Sequence, residues 1–184
     1  MVNASRITDF RTVVQEVHFN WAVPKGWWTD LDTGMQKQRE WEELCTLVHS
    51  ELSEGMEGFR KNKQDTHLPH RPMLEVELAD ALIRIADMCG GFGYNLVDME
   101  VCFDNDHSIM KLIGECHAWV SALFNAKTKN DREYFASMCC GHIQYLAEKC
   151  GYDMLATYRE KMAYNETRED HKLENRRKAD GKKV

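Results

Sequence analysis

Helix breakers are scarce in this chain, with three prolines and 11 glycines in 184 residues. That is too few for a collagenous, linker-like or low-complexity protein. Long apolar runs are also missing, since no stretch approaches the roughly 18 uninterrupted apolar residues of a membrane span. The opening, MVNASRITDF, has no cationic segment followed by an apolar one, so neither secretion nor membrane spanning is expected. Nor is there a basic excess. With 24 Lys and Arg against 30 Asp and Glu, the formal net charge is -6. This argues against a nucleic-acid polymer as partner, because phosphate neutralisation demands a basic surface. A phosphate-bearing small molecule stays open, since a bound divalent cation can supply the positive charge. The seven cysteines (Cys45, Cys89, Cys102, Cys116, Cys139, Cys140 and Cys150) are odd in number, form no CxxC pair and lie mostly within helical apolar patterns. They read as reduced thiols of a cytoplasmic protein rather than as a disulfide or zinc framework.

What is present is helical periodicity, and the expected class is all-α. The length suits one domain over residues 1–184. Trp41, Leu44, Val48, Leu52, Met56 and Phe59 keep the three-and-four spacing of one helix face. A polar loop follows from Lys61 to Arg71, and Pro72 suits the first turn of a second helix with the stripe Leu74, Leu78, Ala81, Ile85 and Met88. Gly90-Gly91 is expected to end it in the left-handed conformation. Ile109, Leu112, Ile113, Cys116, Val120 and Leu123 mark a third core helix. Asn130 with Glu133 resembles the cap of a fourth, whose stripe runs through Phe135, Met138, Ile143 and Leu146. A last helix opens at Asp153 and runs past Tyr164 into a charged tail, of which residues 172–184 are expected to be mobile. A shorter helix is expected over Thr8 to Val17. Gly93-Tyr94-Asn95-Leu96 and Gly151-Tyr152-Asp153-Met154 are similar junctions, so residues 101–152 read as an inserted helical hairpin.

Glu51 and Glu54 are three apart on the first long helix, and Glu77 and Asp80 repeat that spacing on the second. Both doublets border the apolar stripes, so antiparallel packing would converge four carboxylates at one rim. Four acids there repel one another unless neutralised, and a hard cation such as Mg²⁺ takes oxygen ligands of this kind. The competing reading is a solvated helix face, with Arg84 pairing Asp80. A di-iron bundle would need ExxH motifs, and the sequence has none.

The pair Glu51-Leu52-Ser53-Glu54 and Glu77-Leu78-Ala79-Asp80 resembles the ExxE and ExxD motifs of the MazG-like all-α nucleoside triphosphate pyrophosphohydrolases. Lys25-Gly26-Trp27-Trp28 resembles the family's KG(F/W)W element, and Lys161, Asn165 and Arg168 match its Lys-x3-Asn-x2-Arg segment. The resemblance covers roughly residues 18–98 and 157–171. Two departures are Glu169-Asp170-His171-Lys172, where relatives often carry a Pro-x-x-His-Gly-like ending, and Gly55 and Gly58 on the first metal helix.

The resemblance implies a MazG-like or dimeric-dUTPase-like helical bundle. It also implies Mg²⁺-dependent hydrolysis of a (deoxy)nucleoside triphosphate to the monophosphate and pyrophosphate, serving pool sanitation or biasing, with Mn²⁺ as a possible substitute. Glu51, Glu54, Glu77 and Asp80 would hold the metal, and Glu51 or Glu54 would activate the water. Lys161, Asn165 and Arg168, at i, i+4 and i+7, would face the phosphates from one side of a helix. Trp28 with Lys25 would contact the substrate, while Trp27 and Trp28 as an aromatic pair also suit a core. Asp87 would join the metal shell or hold Arg84, His49 would approach the nucleotide or be simply hydrogen-bonded, and His67 and His70 give an HxxH that is not convincing as a zinc site. A homodimer or homotetramer is implied. The alternatives are a phosphoribosyl-ATP pyrophosphohydrolase and a non-catalytic helical module with an acidic face.

Overall fold

A computed structural model describes residues 5–102, 107–178 and 180–181, and the described residues are helical with no strand. Residues 103–106 of the expected inserted hairpin, and residues 179 and 182–184 of the expected tail, lie outside the described residues. Among the described residues no helix is long and apolar enough to cross a membrane.

Helix α1 (Phe10–Val14), capped by the Asp9 carboxylate, runs on as a π-helical stretch over Gln15–Ala22. It therefore extends past the expected end at Val17. Two 20-residue helices follow, α2 (Trp41–Arg60) and α3 (Met73–Phe92), and they pack as the expected hairpin. Their approach is close because α2 presents glycines. A Cβ on Gly58 would lie 2.6 Å from Met73 Cβ, and one on Gly55 would lie 3.2 Å from Glu77 Cβ. The departure at Gly55 and Gly58 thus has a packing reason, since it brings α2 against the helix that carries Glu77. Phe59, expected on the core stripe, is 39% exposed.

Helix α3 does not stop at Gly90-Gly91. Both residues are helical, and the left-handed residue is Gly93 at φ 67°. The glycines meet a tertiary demand instead: a Cβ on Gly90 would lie 2.4 Å from His18 Cβ, and one on Gly91 would lie 2.0 Å from Trp28 Cη2. The gain in helix propensity from alanine is outweighed where a ring fills the space. Gly91→Ala is accordingly expected to lower stability by about 2 kcal/mol in urea unfolding; an unchanged or raised midpoint would contradict this packing.

Helices α4 (Ile109–Asn125) and α5 (Lys129–Cys150) form a second hairpin. The cap of α5 is Thr128, whose hydroxyl accepts from Asp131 N–H, rather than Asn130. Its buried stripe runs through Ala136, Cys139, Cys140, Ile143 and Leu146, while Phe135 and Met138 are only half-buried. The hairpin shares one hydrophobic core with α2 and α3, and Trp41 Nε1–H donates to Leu123 C=O at 2.9 Å. The two related junctions hold: Gly93 and Gly151 are both left-handed C-caps. Cys45, Cys89, Cys116, Cys139 and Cys140 are free and buried.

Helix α6 (Met154–Thr167) opens at Asp153, whose carboxylate accepts from Ala156 N–H. It is docked on α3 by Glu75, which is buried and accepts from Thr157 Oγ1 at 2.7 Å and Arg71 Nη1 at 2.7 Å. Arg71 also grips Glu160 on α6, and His70 Nε2 lies 2.8 Å from the same carboxylate. Hydrogen bonds from Arg71, then His70, hold the Glu160 carboxyl down at about 2. The unfolded chain takes up this proton at higher pH than the folded one. The contribution is therefore complete above about 4.5 and is lost as pH falls towards 2. The side chain is 39% exposed, so screening limits the effect to about 1 kcal/mol. Glu160→Gln is expected to cost that much in urea unfolding at pH 5, with the difference from wild type vanishing near pH 2.

After α6 the chain makes a 3-10 turn (Glu169–His171) and a short helix α7 (Leu173–Arg176). His171 and Arg176 are buried, and the Arg176 guanidinium lies 3.6 Å over the Trp27 ring. This part of the expected mobile tail packs on the body.

Candidate metal and phosphate site

The α2–α3 hairpin brings Glu51, Glu77 and Asp80 together, each offering one carboxylate oxygen within 4.8 Å of the others. They line a cavity of about 500 Å³ whose walls also include Glu54, Arg84, Lys161, Asn165 and Arg168. Glu54, one turn from Glu51, borders the cavity but is exposed and outside the tight cluster, and it accepts from Ser50 Oγ at 3.2 Å. Three of the four expected acids therefore converge, and the fourth stands at the rim.

The electrostatics follow from burial. Glu77 is 5% exposed, and its Oε2 has no hydrogen-bond partner among the described residues. Burial, then the neighbouring Asp80 and Glu51, push its carboxyl up to about 9. Asp80 is raised to about 6 by burial, with Lys161 opposing the rise. Lys161 is buried, its Nζ 2.8 Å from Asp80. Burial works against its charge, but Asp80 beside it outweighs that and raises its value. Arg84 turns to Glu51, Nε to Oε1 at 3.0 Å, rather than to Asp80. An all-carboxylate donor set with one buried, unpartnered oxygen suits a hard divalent cation with oxygen ligands.

Helix α6 supplies Lys161 and Asn165 to one side of the cavity, as their spacing predicts, and Arg168, expected on the same helix face, joins them from the extended residue that ends the helix. Asn165 is 4% exposed, and its Oδ1 has no partner among the described residues. Arg168, just past the helix, is held by Asp170 through bonds of 2.9 and 2.6 Å.

Other expected residues are not brought there. Lys25 pairs with Glu166 at 2.8 Å and does not border the cavity. Trp28 is buried against Gly91, with its Nε1–H donating to Asp87 Oδ1 at 2.8 Å; its neighbour Trp27 is the one that lines the cavity. Asp87 neither joins the three acids nor holds Arg84, because Trp28 and His18 occupy its Oδ1. His49 lies away from the cavity, its Nδ1 2.9 Å from His117 Nδ1. His70 is taken by Glu160, whereas His67 borders the cavity and stacks on Tyr164 at 4.6 Å.

Sequence reasoning missed Trp21, Arg39 and Asp65 as cavity residues. Asp65 had a local signal. It is buried in the loop between α2 and α3 and accepts from His67 and Leu68 N–H at 2.8 and 2.7 Å, the short-range pattern expected of Asp in a turn. Trp21 and Arg39 had none, since their relation to α3 is purely tertiary. No family model matches the chain, no curated protein matches it, and no solved structure matches it.

Proposed function

We propose that the chain is a Mg²⁺-dependent nucleoside triphosphate pyrophosphohydrolase with a MazG-like bundle, working in the cytoplasm as a homodimer or homotetramer in pool sanitation or biasing. The observation that carries this reading is the Glu51, Glu77 and Asp80 cluster facing Lys161, Asn165 and Arg168 across one cavity. An acidic surface would be solvated, whereas this one is sunk into a wall with a buried, unpartnered oxygen. The resemblance of the ExxE and ExxD segments supports the same reading. When bound, Mg²⁺, or Mn²⁺ in its place, supplies charge neutralisation on phosphate oxygens and an acidified water.

The chain's own residues do the rest. Glu51, Glu77 and Asp80 would hold the cation, and Glu54, exposed at the rim, would orient or deprotonate a water. Lys161 reaches the site already desolvated, so its charge acts on phosphate at short range in a poorly screened setting. Asn165 contributes directed hydrogen bonds. Arg168 can exchange Asp170 for phosphate oxygens and accept the charge that grows on the leaving pyrophosphate.

Incubation with a panel of NTPs and dNTPs, with and without Mg²⁺, tests this reading by pyrophosphate release. Turnover is expected only with the metal, and Glu51→Gln should reduce it by about 100-fold or more. A Glu51→Gln protein with near wild-type turnover would remove Glu51 from the metal shell.

A further inference from the structure

Among the described residues, the Lys and Arg side chains that line the cavity are Arg39, Arg84, Lys161 and Arg168. Three of them meet it with their charge already engaged. Lys161 is buried with its Nζ 2.8 Å from Asp80, Arg39 is buried with its Nη2 2.8 Å from Glu43, and Arg168 has its Nε and Nη2 on the two oxygens of Asp170. Arg84 differs. Its Nε donates to Glu51 Oε1 at 3.0 Å, while its Nη1 and Nη2 have no hydrogen bond among the described residues and keep accessible surface, on a side chain that is 29% exposed. A guanidinium thus borders the cavity with one donor spent and the rest of its fork open. Its place matters because Glu51 is one of the three converging carboxylates. The cluster is held by two cations, Lys161 from α6 at Asp80 and Arg84 from α3 at Glu51.

We infer that Arg84 is a substrate-binding residue, which grips a phosphate oxygen of the metal-bound polyphosphate through its Nη groups while its Nε stays on Glu51. The inference rests on the pyrophosphohydrolase reading above and adds a phosphate ligand from α3 to Lys161, Asn165 and Arg168. Neighbouring ligands of an octahedral Mg²⁺ lie about 3 Å from one another. A phosphate oxygen that takes a position beside Glu51 on such a cation therefore comes within reach of the guanidinium that already holds Glu51. Supporting Glu51 alone uses a single N–H and leaves idle the planar fork that suits phosphate. Arg168 has to release Asp170 before it can bind phosphate fully, whereas Arg84 has no carboxylate to exchange at its Nη groups.

Calorimetric titration with inorganic tripolyphosphate in excess Mg²⁺ tests the assignment without any choice of base, and a separate Mg²⁺ titration without phosphate reads the metal site alone. Arg84→Gln should raise the Kd for tripolyphosphate by about tenfold or more, and Arg84→Lys, which keeps the charge but not the fork, should lose less. The Mg²⁺ affinity of Arg84→Gln should be unchanged or raised, because a cation beside the carboxylates is gone. Weaker Mg²⁺ binding by Arg84→Gln would make Arg84 a support for Glu51, and tripolyphosphate affinity equal to wild type in both variants would deny it a phosphate. Either result overturns the assignment and leaves the pyrophosphohydrolase reading intact. Wild-type protein that binds neither Mg²⁺ nor tripolyphosphate overturns that reading and the role of Arg84 with it.

Discussion

Glu77→Gln is expected to raise the thermal midpoint of the metal-free protein and to abolish nucleotide turnover in the same molecule. The carboxyl is pushed up to about 9 by burial and by Asp80 and Glu51, so at neutral pH the folded metal-free protein retains a proton that the unfolded chain releases. Stability then declines as pH rises from about 4.5 towards 9, because the folded state binds more protons throughout that window. An amide cannot titrate. It removes this slope and is worth about 2 kcal/mol at pH 7.5, or roughly 4–8 °C for a chain of this size. The same substitution takes away the carboxylate whose buried Oε2 has no hydrogen-bond partner among the described residues, so Mg²⁺ should no longer stabilise the variant. Thermal scans of wild type and Glu77→Gln at pH 5, 7 and 9, with Mg²⁺ and with chelator, check both halves. A variant that melts below wild type at pH 9 in chelator would contradict the burial argument.

Lys161→Met should act in the opposite direction. The ammonium is 2.8 Å from Asp80, and its side chain is 3% exposed. Removing it leaves a half-buried carboxylate without its counter-ion, which costs about 2 kcal/mol and roughly 4–8 °C. Methionine conserves much of the volume, so the loss is electrostatic rather than a cavity. Added Mg²⁺ should restore part of the midpoint by replacing the missing charge, whereas turnover should stay low because the proposed contact from Lys161 to phosphate is lost. A loss that Mg²⁺ does not reduce would separate Lys161 from the carboxylate cluster.

Those two residues were legible in the sequence for the same reason the helices were. A three-and-four period places Glu77 and Asp80 beside the stripe of α3, and Lys161 and Asn165 on one face of α6, before any tertiary contact is known. The features that escaped were those decided by distant partners. Gly90-Gly91 carries a local stop signal, but His18 and Trp28 need the room, so the helix continues to Gly93. Asp87 lies on the same helix stripe as Asp80, yet its partners are His18 and Trp28 from the N-terminal segment. Trp27 and Trp28 are adjacent and face different surroundings, a choice made by the path of the turn that precedes α2 and by Arg176 closing over Trp27. Helical spacing offers Arg84 two partners on its own helix, Asp80 and Asp87, but the glycine-spaced approach of α2 brings Glu51 to it across the hairpin instead.

The central claim is cleavage between the α and β phosphates by a metal held on Glu51, Glu77 and Asp80. Phosphorus NMR of a nucleoside triphosphate incubated with the protein in ¹⁸O-labelled water tests it most directly. Monophosphate and pyrophosphate are expected as the only products, in the presence of Mg²⁺ and not of chelator. Orthophosphate with diphosphate, or turnover that survives chelation, would contradict it.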